Sequence, residues 1–542
     1  MIKRPHPAPS MPPSETPSQS SLPTPQIESF GKTQGLSLLL LLAVSVAVRV
    51  FCLACKPFWF DECFSVQLAR ISWHNFVRLL WWREANMSLY YLLLRIWLHF
   101  GQSPSFVRGL SVLFSVATLP AIYWLARLLY DRKVALISAS LFAFNAYSLR
   151  YAQEARSYAL FLLLATLSSA SLIAFLRTPG PRTRLGYVVT SILAAYAHFY
   201  ALLLMAAQWL ALRFAVSSFD FQRSSGTDSG DLKPETRNST RQLGSAWRAI
   251  AIAVAPLLIF VAKTGAGPIR WIHRPSVRDV LDFYAHLAGG NSWFLLVIYA
   301  AACIAAIAGH WNRLFQREQT WETWRCQFLL LWLFFPVVLT VLLSFARPVF
   351  LDRYMIFCLP PLLILASAGL ARVRRPWLLG VTLAAILLAS SQGVLFVYSH
   401  DFDNERDASG AASDFILDHA QAGDGVIFHI AATRVAYEFF RSLRAGENTA
   451  SPQFRAQLGP EILYPHHADG LDYRDFTGKP AAEMLRNMSS GRPRVWVMLM
   501  NNAPTGKPDP TTVMLTQVLA ESFPKVQRWQ FPLVEVRLYG SQ

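Results

Sequence analysis

The chain has 542 residues, of which 53% are hydrophobic and 15% are charged, and its formal net charge is +17. Soluble domains average about 25% charged residues, so this composition excludes an ordinary soluble protein, and the long uncharged runs exclude a disordered chain or a coiled coil. The basic residues lie in short clusters between apolar runs, which is typical of membrane topology signals and argues against nucleic-acid binding. Six cysteines are too few to staple a chain of this length, and we expect no disulfide framework.

Residues 1–35 are rich in proline, serine and threonine and poor in large apolar side chains. Such a segment cannot bury enough surface to offset the entropy of ordering, so we predict a disordered cytoplasmic tail. The first apolar run, 36–55, is long enough to cross a bilayer, which takes about 20 residues, and lies too far from the N-terminus for an ordinary cleavable signal peptide. We therefore predict the first transmembrane helix there.

Ten further apolar runs predict ten more transmembrane helices. They lie at 105–128, 134–150, 158–177, 185–199, 200–217, 247–262, 292–310, 326–345, 354–371 and 377–398. With a cytoplasmic N-terminus, eleven crossings place residues 399–542 outside. Basic residues concentrate in the loops that this scheme places inside, as the positive-inside rule requires, but several arginines, Arg156 and Arg353 among them, fall outside. Those outside cations need a further explanation.

Two segments lie outside the membrane in this scheme. Residues 56–104 are rich in tryptophan, tyrosine and phenylalanine, which favour the level of the lipid headgroups, so we expect interfacial helices there. Residues 399–542 have a soluble composition, and the strand-like runs 426–430, 494–500 and 531–539 predict a small extramembrane α/β domain. The predicted fold is thus a polytopic α-helical membrane domain followed by this α/β domain.

Asp61 and Glu62 follow the first helix directly after the aromatic run 58–60. Carboxylates beside aromatic rings at a bilayer surface are costly to keep ionised, which makes this pair a candidate for function, with a solvated loop pair as an equal alternative. Adjacent residues point about 100° apart on a helix and to opposite faces on a strand, so the two are expected to differ in role. One of them is expected to be a base.

A polar group is predicted in the outside turn that joins the third and fourth spans. There Glu154, Arg156 and Tyr158 lie within five residues of one another, and a structural Glu–Arg pair is the alternative role for Glu154. The next outside turn, 196–200, places His198 among aromatic residues, where packing is a commoner role than catalysis, although a neutral imidazole also binds metals.

A third outside position lies at the start of the tenth span. Arg353 precedes Tyr354 there, and a guanidinium at a helix N-terminus favours a phosphate. Anchoring in the lipid interface is the alternative role for this arginine.

Five motifs follow one another along the chain. They are Trp59-Phe60-Asp61-Glu62, Leu89-Tyr90-Tyr91-Leu92-Leu93-Leu94-Arg95, Gln153-Glu154-Ala155-Arg156-Ser157-Tyr158, Tyr196-Ala197-His198-Phe199 and Arg353-Tyr354. Together they resemble the motifs of bacterial members of glycosyltransferase family 39, which shares the GT-C membrane fold with protein O-mannosyltransferases and the lipid A aminoarabinose transferase. The resemblance covers about residues 36–400 and implies a GT-C domain over 36–398.

The resemblance implies a hexosyl- or pentosyltransferase that uses a polyprenyl-phosphate-linked sugar on the periplasmic face of the inner membrane. Asp61 matches the family's catalytic acidic residue. Phosphate is already an adequate leaving group, so such an enzyme needs mainly a base for the acceptor hydroxyl and cations such as Arg353 for the departing phosphate. A single carboxylate implies inversion at the anomeric carbon, and Glu154 stays open as the second carboxylate of a retaining mechanism.

The other candidate residues are assigned to the donor phosphate or to the substrate. They are Arg353, Tyr354, Arg156, Glu154, Tyr158, Glu62, Glu84, Tyr91 and His198. The chain departs from its relatives between Glu84 and Tyr91, because it lacks the two prolines that often follow the acidic residue there. This departure leaves the acceptor class open, namely an envelope lipid, a polysaccharide or a protein.

No cofactor is certain from the sequence. Asp61, Glu84 and His198, with Glu62, are candidate ligands for a divalent cation, but their spacing matches no recognised metal motif. The main alternative function is a flippase or transporter of a lipid-linked sugar, which should place charges at mid-membrane and show internal repeats, and neither is clear here. A non-catalytic membrane anchor for the C-terminal domain explains least, because it leaves the outside turns without a purpose.

Overall fold

The computed structural model describes most of the chain. The described residues are 32–82, 84–224, 234–264, 272–290, 293–308, 320–400, 408–430, 433–445, 459–465, 480–500 and 509–540. Almost all of the predicted tail over 1–35 lies outside these residues. The described part is mainly helical, with one small sheet near the C-terminus.

The first 400 residues form sixteen of the described helices and one 3₁₀ helix. They are α1 (Lys32–Val50), α2 (Phe60–Arg70), α3 (Trp73–Trp82), α4 (Ser88–Trp97), α5 (Pro104–Leu129), α6 (Arg132–Ala143), α7 (Ala146–Ala152), α8 (Tyr158–Arg177), α9 (Pro181–Ala197), α10 (Ala201–Ser224), α11 (Pro234–Thr264), α12 (Val277–Leu287), α13 (Trp293–Ala308), α14 (Trp321–Ala346), the 3₁₀ helix Asp352–Cys358, α15 (Leu359–Leu370) and α16 (Pro376–Ser399). Within the described residues, each of the eleven predicted apolar runs falls mainly on helix in this series.

Six helical segments in the described ranges are long and apolar enough to cross a membrane. They are Pro104–Leu129, Tyr158–Arg177, Arg241–Lys263, Trp321–Ala346, Asp352–Leu370 and Pro376–Ser399. Shorter apolar helices occur at Gly35–Val50, Ala201–Arg213 and Trp293–Ala308. The chain is therefore a multi-pass membrane protein, as its composition predicted.

The predicted third span, 134–150, is broken into α6 and α7 at Asn145. The side chain of Asn145 accepts a hydrogen bond from the backbone N–H of Ser148 and so caps the start of α7. The last carbonyl groups of α6, those of Phe142 and Ala143, accept hydrogen bonds from the buried guanidinium of Arg49 on α1. Because both helix ends at the break are satisfied, α7 can turn away from α6 and lead into the polar turn at 153–157.

The aromatic segment 56–104 forms the three short helices α2, α3 and α4. On α3, Trp73, Trp81 and Trp82 are exposed, which fits the interfacial placement expected from the sequence. The C-terminal end of α2 is held by Arg95 of α4, which donates hydrogen bonds to the carbonyl oxygens of Ala69 (2.9 Å) and Ile71 (2.6 Å). The arginine of the second sequence motif thus anchors the helix that carries the first motif.

The expectation that the chain has no disulfide framework needs one local correction. Cys52 and Cys55 form a disulfide in the turn that follows α1. This turn brings their Cα atoms to 5.0 Å, within the range that a disulfide spans. The number of cysteines alone could not reveal this disulfide, because both cysteines lie at the edge of an apolar run.

The C-terminal region is the small α/β domain that the sequence predicted. Its elements are α17 (Ser409–His419), β1 (Gly425–His429), α18 (Thr433–Ala445), β2 (Glu461–Tyr464), α19 (Ala482–Ser489), β3 (Arg494–Met500), α20 (Pro510–Ser522), β4 (Lys525–Phe531) and β5 (Val534–Gly540). The sheet has the order β2-β1-β3-β5-β4, in which β1 is parallel to β2 and β3, and β5 is antiparallel to β3 and β4. The predicted single run 531–539 instead spans the turn of a hairpin, from the last residue of β4 into β5, and Leu533 in this turn has a φ of 58°.

Candidate active site

Asp61 lies in the first turn of α2, at the end of the helix where exposed N–H groups favour a negative charge. Its side chain is 18% exposed, and its Oδ2 lies 3.5 Å from Nη2 of Arg156. The pairing joins the first sequence motif to the third, which are almost a hundred residues apart in the chain. The carboxylate therefore has a cation beside it and still reaches solvent.

Arg156 is buried in the turn between α7 and α8. Its Nη1 lies 3.3 Å from the hydroxyl of Tyr91 and 3.5 Å from that of Ser65, and its carbonyl oxygen accepts a hydrogen bond from Ser111 at 3.3 Å. Burial opposes its charge, but Asp61 and the neighbouring tyrosines outweigh burial and hold the pKa of Arg156 well above its ordinary value. The guanidinium is thus a permanent cation at the side of Asp61.

Glu62, the next residue, is in a closed pair. Arg108 of α5 donates from Nε to Oε1 (2.8 Å) and from Nη2 to Oε2 (2.6 Å), and the backbone N–H of Ala155 donates to Oε1 (2.9 Å). Both side chains are fully buried. Glu62 therefore fixes α2 against α5 and the 153–157 turn, and it does not face the open part of the site.

Arg108 was missed by the sequence analysis. It also donates to the carbonyl oxygens of Leu53 (2.8 Å), Lys56 (2.8 Å) and Pro57 (3.1 Å). These hydrogen bonds hold the loop between α1 and α2 against α5. The available signal was an arginine in the first turns of a long apolar run, since a buried arginine requires acceptors. No local pattern identifies Glu62 as one of these acceptors.

Glu154 is fully buried and lies beside Arg150, one helical turn earlier. Oε1 of Glu154 is 3.6 Å from Nε of Arg150. Glu154 is therefore paired with an arginine, but this arginine is Arg150 and not Arg156 of the predicted polar turn. The charge of Glu154 is thus balanced by a buried arginine of the preceding helix, which supports a structural role in the turn.

Tyr158, His198 and Tyr354 form an aromatic wall beside the two site arginines. The ring centroid of His198 lies 4.7 Å from that of Tyr354 and 6.3 Å from that of Tyr158. Nδ1 of His198 accepts a hydrogen bond from the backbone N–H of Tyr200 at 3.2 Å. Burial, with Arg156 and Arg353 nearby, lowers the pKa of His198 to about 3, so the imidazole in this turn is neutral. The wall joins the third, fourth and fifth motifs.

Arg353 lies in the 3₁₀ helix that leads into α15, and not in the α-helical first turn that the sequence predicted. It is 6% exposed, and its guanidinium carbon lies 5.7 Å from the ring centroid of Trp59 and 6.0 Å from that of Tyr354. The carboxylate of Asp352 accepts the backbone N–H of Arg353 and lies 3.5 Å from Nδ1 of His286 on α12. The 3₁₀ turn therefore places a second cation next to the residue that begins the Asp61 motif.

Glu84 follows α3 and is half-buried. Burial raises the pKa of Glu84 to about 7, while Arg156 and Asp61 act on it in opposite directions. In the described residues its carboxylate has no hydrogen-bonded partner. The segment after it is attached to the fourth motif, because the backbone N–H of Phe199 donates to the side chain of Asn86 at 3.0 Å.

The candidate metal ligands Asp61, Glu84 and His198 all lie in this region. Across the described ranges, no three His, Cys, Asp or Glu side chains are grouped so that they could hold a metal ion.

No protein-family model and no curated protein sequence matches this chain. Among solved structures, it is similar to ArnT from Cupriavidus metallidurans in the apo state, with a TM-score of 0.58 and 11% identity over 94% of this chain and 99% of that chain. The same protein bound to undecaprenyl phosphate gives a TM-score of 0.56 and 11% identity over 94% and 98% of the two chains. The oligosaccharyltransferase of Archaeoglobus fulgidus in the apo form reaches only 0.49, at 11% identity over 87% and 70%.

The likeness to ArnT establishes the fold and extends over nearly the whole chain, including the C-terminal domain. The GT-C membrane fold that the sequence motifs implied is thereby confirmed. At this level of identity, a shared fold does not carry a shared activity, which has to be argued from the site.

Proposed function

We propose that this chain is a membrane glycosyltransferase that moves a sugar from a polyprenyl-phosphate donor to a hydroxyl group of a cell-envelope acceptor. The observation that carries the proposal is the partly exposed carboxylate of Asp61, 3.5 Å from the buried Arg156. A second arginine, Arg353, lies beside Trp59 of the same motif. One base next to two cations is what the displacement of a phosphate by a hydroxyl requires.

In the proposed reaction, Asp61 takes the proton of the acceptor hydroxyl. The hydroxyl oxygen forms a bond to the anomeric carbon, and the bond from that carbon to the phosphate oxygen breaks. The phosphate leaves with the bonding electron pair, and Arg353 and Arg156 stabilise its growing negative charge. ArnT, which has the same fold, has been solved with undecaprenyl phosphate bound, and this supports a lipid phosphate as the carrier.

We propose inversion at the anomeric carbon. Retention through a covalent intermediate usually needs a second carboxyl group at that centre. Glu62 and Glu154 are both buried and both lie beside arginines, which removes the support for either as that group. Glu84 and Tyr91 are proposed to line the substrate pocket. The charge of Asp61 affects the pKa of Glu84, and the hydroxyl of Tyr91 contacts Arg156.

We place the site on the periplasmic side of the inner membrane. The Cys52–Cys55 disulfide lies just before Asp61, and disulfides persist mainly in oxidising compartments. Single cysteines in place of Met484, exposed in the C-terminal domain, and Arg374, exposed between α15 and α16, test the orientation. An impermeant thiol reagent should label the first and spare the second in intact cells, and equal labelling would refute the placement.

The decisive experiment uses purified full-length protein in nanodiscs with labelled polyprenyl-phosphate sugars and a panel of lipid, polysaccharide and peptide acceptors. We expect release of polyprenyl phosphate that depends on the acceptor and disappears with Asp61→Asn. The configuration of the product at the anomeric carbon, determined by NMR, tests inversion. Translocation of the donor without release would favour a flippase and overturn the proposed function.

A further inference from the structure

Helix α18 of the C-terminal domain has two buried faces that belong to different parts of the molecule. Val435, Ala436 and Phe439 join the hydrophobic core of the membrane domain. Tyr437, on the same helix, packs instead with the sheet, where its ring centroid lies 5.1 Å from that of Phe428. Positions 435, 436 and 439 lie on one face of a helix, and position 437 lies on another. Helical geometry therefore lets α18 pack against the membrane domain and the sheet at the same time. The helix is therefore a shared element between the two domains.

The membrane-domain partner of α18 is the segment that carries Asp61. Phe439 is fully buried, and its ring is stacked on Phe58 with the centroids 5.1 Å apart and the planes 11° apart. Phe58 precedes Asp61 by three residues. At the other end of α2, the guanidinium of Arg70 lies 5.8 Å from the ring centroid of Phe439, and Nη1 of Arg70 donates to Ser442 at 3.3 Å. Helix α18 thus contacts both the segment that leads into α2 and the last residue of α2.

The same stack continues into the membrane domain. The guanidinium carbon of Arg108 lies 4.8 Å from the ring centroid of Phe58, and Arg108 holds Glu62 in its closed pair. Arg108, Phe58, Phe439 and Arg70 therefore form one chain of ring and cation contacts from α5 through α18 to the end of α2. Aromatic stacking and cation–π contacts have preferred geometries, so this chain fixes orientation as well as contact.

We propose that the C-terminal domain positions the base, with Phe439 as the positioning residue that holds the start of α2. This inference rests on the proposed function, because it assigns Phe439 a role in that reaction through Asp61. Removing the ring lets the segment 58–61 move relative to Arg156, whose position is fixed by the 153–157 turn. A displacement of about 1 Å at a reacting group can lower a rate by about a hundredfold.

The kinetic test compares three full-length variants in nanodiscs. Phe439→Ala should lower kcat by about tenfold to a hundredfold with little change in the KM for the donor, and Phe439→Tyr should restore most of the rate. Phe415→Ala is the matched control, because Phe415 packs with Trp529 and Phe531 on the sheet and not against α2. Equal kcat losses in Phe439→Ala and Phe415→Ala, or none in Phe439→Ala, would overturn the proposal.

A second measurement is independent of turnover. Asp61→Cys is labelled with a thiol reagent in the presence and absence of Phe439→Ala, and the modification at position 61 is quantified by mass spectrometry. We expect the labelling rate to rise several-fold when the ring is removed, and to stay unchanged with Phe415→Ala. A rate that is the same in both backgrounds would show that Phe439 does not hold this segment. If the wild type transfers no sugar, the proposed function fails, and this labelling still decides whether α18 positions α2.

Discussion

Two adjacent carboxylates on α2, each beside an arginine, differ in almost every physical respect. Glu62 and Arg108 form two short hydrogen bonds, 2.6 and 2.8 Å, and both side chains are fully buried. Asp61 and Arg156 approach to 3.5 Å, and the Asp61 side chain keeps 18% of its surface exposed. The closed pair is built to stay intact, whereas the loose pair leaves carboxylate oxygens available to a substrate.

The difference arises from the helix itself. Adjacent residues on a helix point about 100° apart, so α2 can turn Glu62 towards α5 and leave Asp61 at the edge of the site. Breaking a buried pair leaves a charge without a partner in a poorly polar environment, which makes the closed pair a structural anchor. The open carboxylate depends on that anchor for its position. The following changes test this division, in order of decreasing effect.

Asp61→Asn keeps the size of the side chain and removes the base. We expect transfer to fall by about 10² to 10⁴ while the folded protein is recovered from the membrane in normal yield. Release of labelled polyprenyl phosphate in nanodiscs measures the rate, and size-exclusion chromatography in detergent checks the fold. A variant that keeps more than about a tenth of the wild-type turnover would show that Asp61 is not the base.

Arg108→Ala breaks the closed pair and should damage the fold rather than the chemistry alone. Leaving Glu62 buried without its cation is expected to cost about 3 to 5 kcal/mol. We expect a large loss of thermal stability and of purified protein. Combining Arg108→Met with Glu62→Leu removes both charges and should recover much of that stability. Failure of the double variant to recover any stability would contradict the assignment of this pair as the anchor.

Glu84→Gln should change how stability depends on pH. Burial raises the pKa of Glu84 to about 7 from an ordinary value of about 4.3, so the folded protein binds this proton more tightly than the unfolded chain. The resulting stability is present below about pH 4 and is lost as the pH rises through about 7, by up to about 3 kcal/mol. The Tm of the wild type should therefore fall more than that of Glu84→Gln between pH 5 and pH 8. Tm curves of the wild type and of Glu84→Gln that stay parallel over this pH range would contradict the raised pKa of Glu84.

Arg353→Lys keeps a positive charge and loses the planar fork of the guanidinium. If Arg353 stabilises the departing phosphate, kcat should fall by about tenfold, or 1.4 kcal/mol, with a smaller change in donor affinity. Single-turnover kinetics and equilibrium binding of the donor separate the two effects. A loss of affinity as large as the loss in kcat would instead assign Arg353 to ground-state binding of the donor.

Chelation of divalent cations is expected to have the smallest effect. We predict that transfer in EDTA stays within about twofold of the untreated rate, since arginines are placed to act on the phosphate. Addition of Mg²⁺, Mn²⁺ or Zn²⁺ after chelation serves as the control. Loss of activity in EDTA that one of these ions restores would assign a cation site to the region of Asp61, Glu84 and His198.

The sequence predicted the main fold because long apolar runs leave few alternatives to membrane helices. It did not predict the break at Asn145, since an asparagine within an apolar run becomes a helix cap only when a neighbour such as Arg49 satisfies the preceding carbonyl groups. The short C-terminal strands were located, but not the turn at Leu533, where a left-handed backbone divides the last run. Helix bounds follow local patterns, and breaks follow tertiary contacts.

The candidate residues were found through their motifs, but their separate roles depend on pairings between distant segments. Glu62 meets Arg108 from 46 positions away, and nothing in the local sequence indicates that these two residues are partners. Phe439 lies more than 370 residues beyond Phe58, in a domain whose role the sequence left open. Such contacts can be found only once the fold brings the segments together.

The shared helix α18 also limits how the C-terminal domain could be exchanged in an engineered chimaera. A junction placed in the connection after α16 would replace α18 together with the sheet, and the foreign helix would have to supply a ring opposite Phe58 and a hydroxyl near Arg70. A junction after α18 would keep the native ring and β1, but it would separate β1 from its native sheet partners β2 and β3. Grafting therefore requires that α18 retain its membrane-facing side chains and take its sheet-facing side chains from the donor domain.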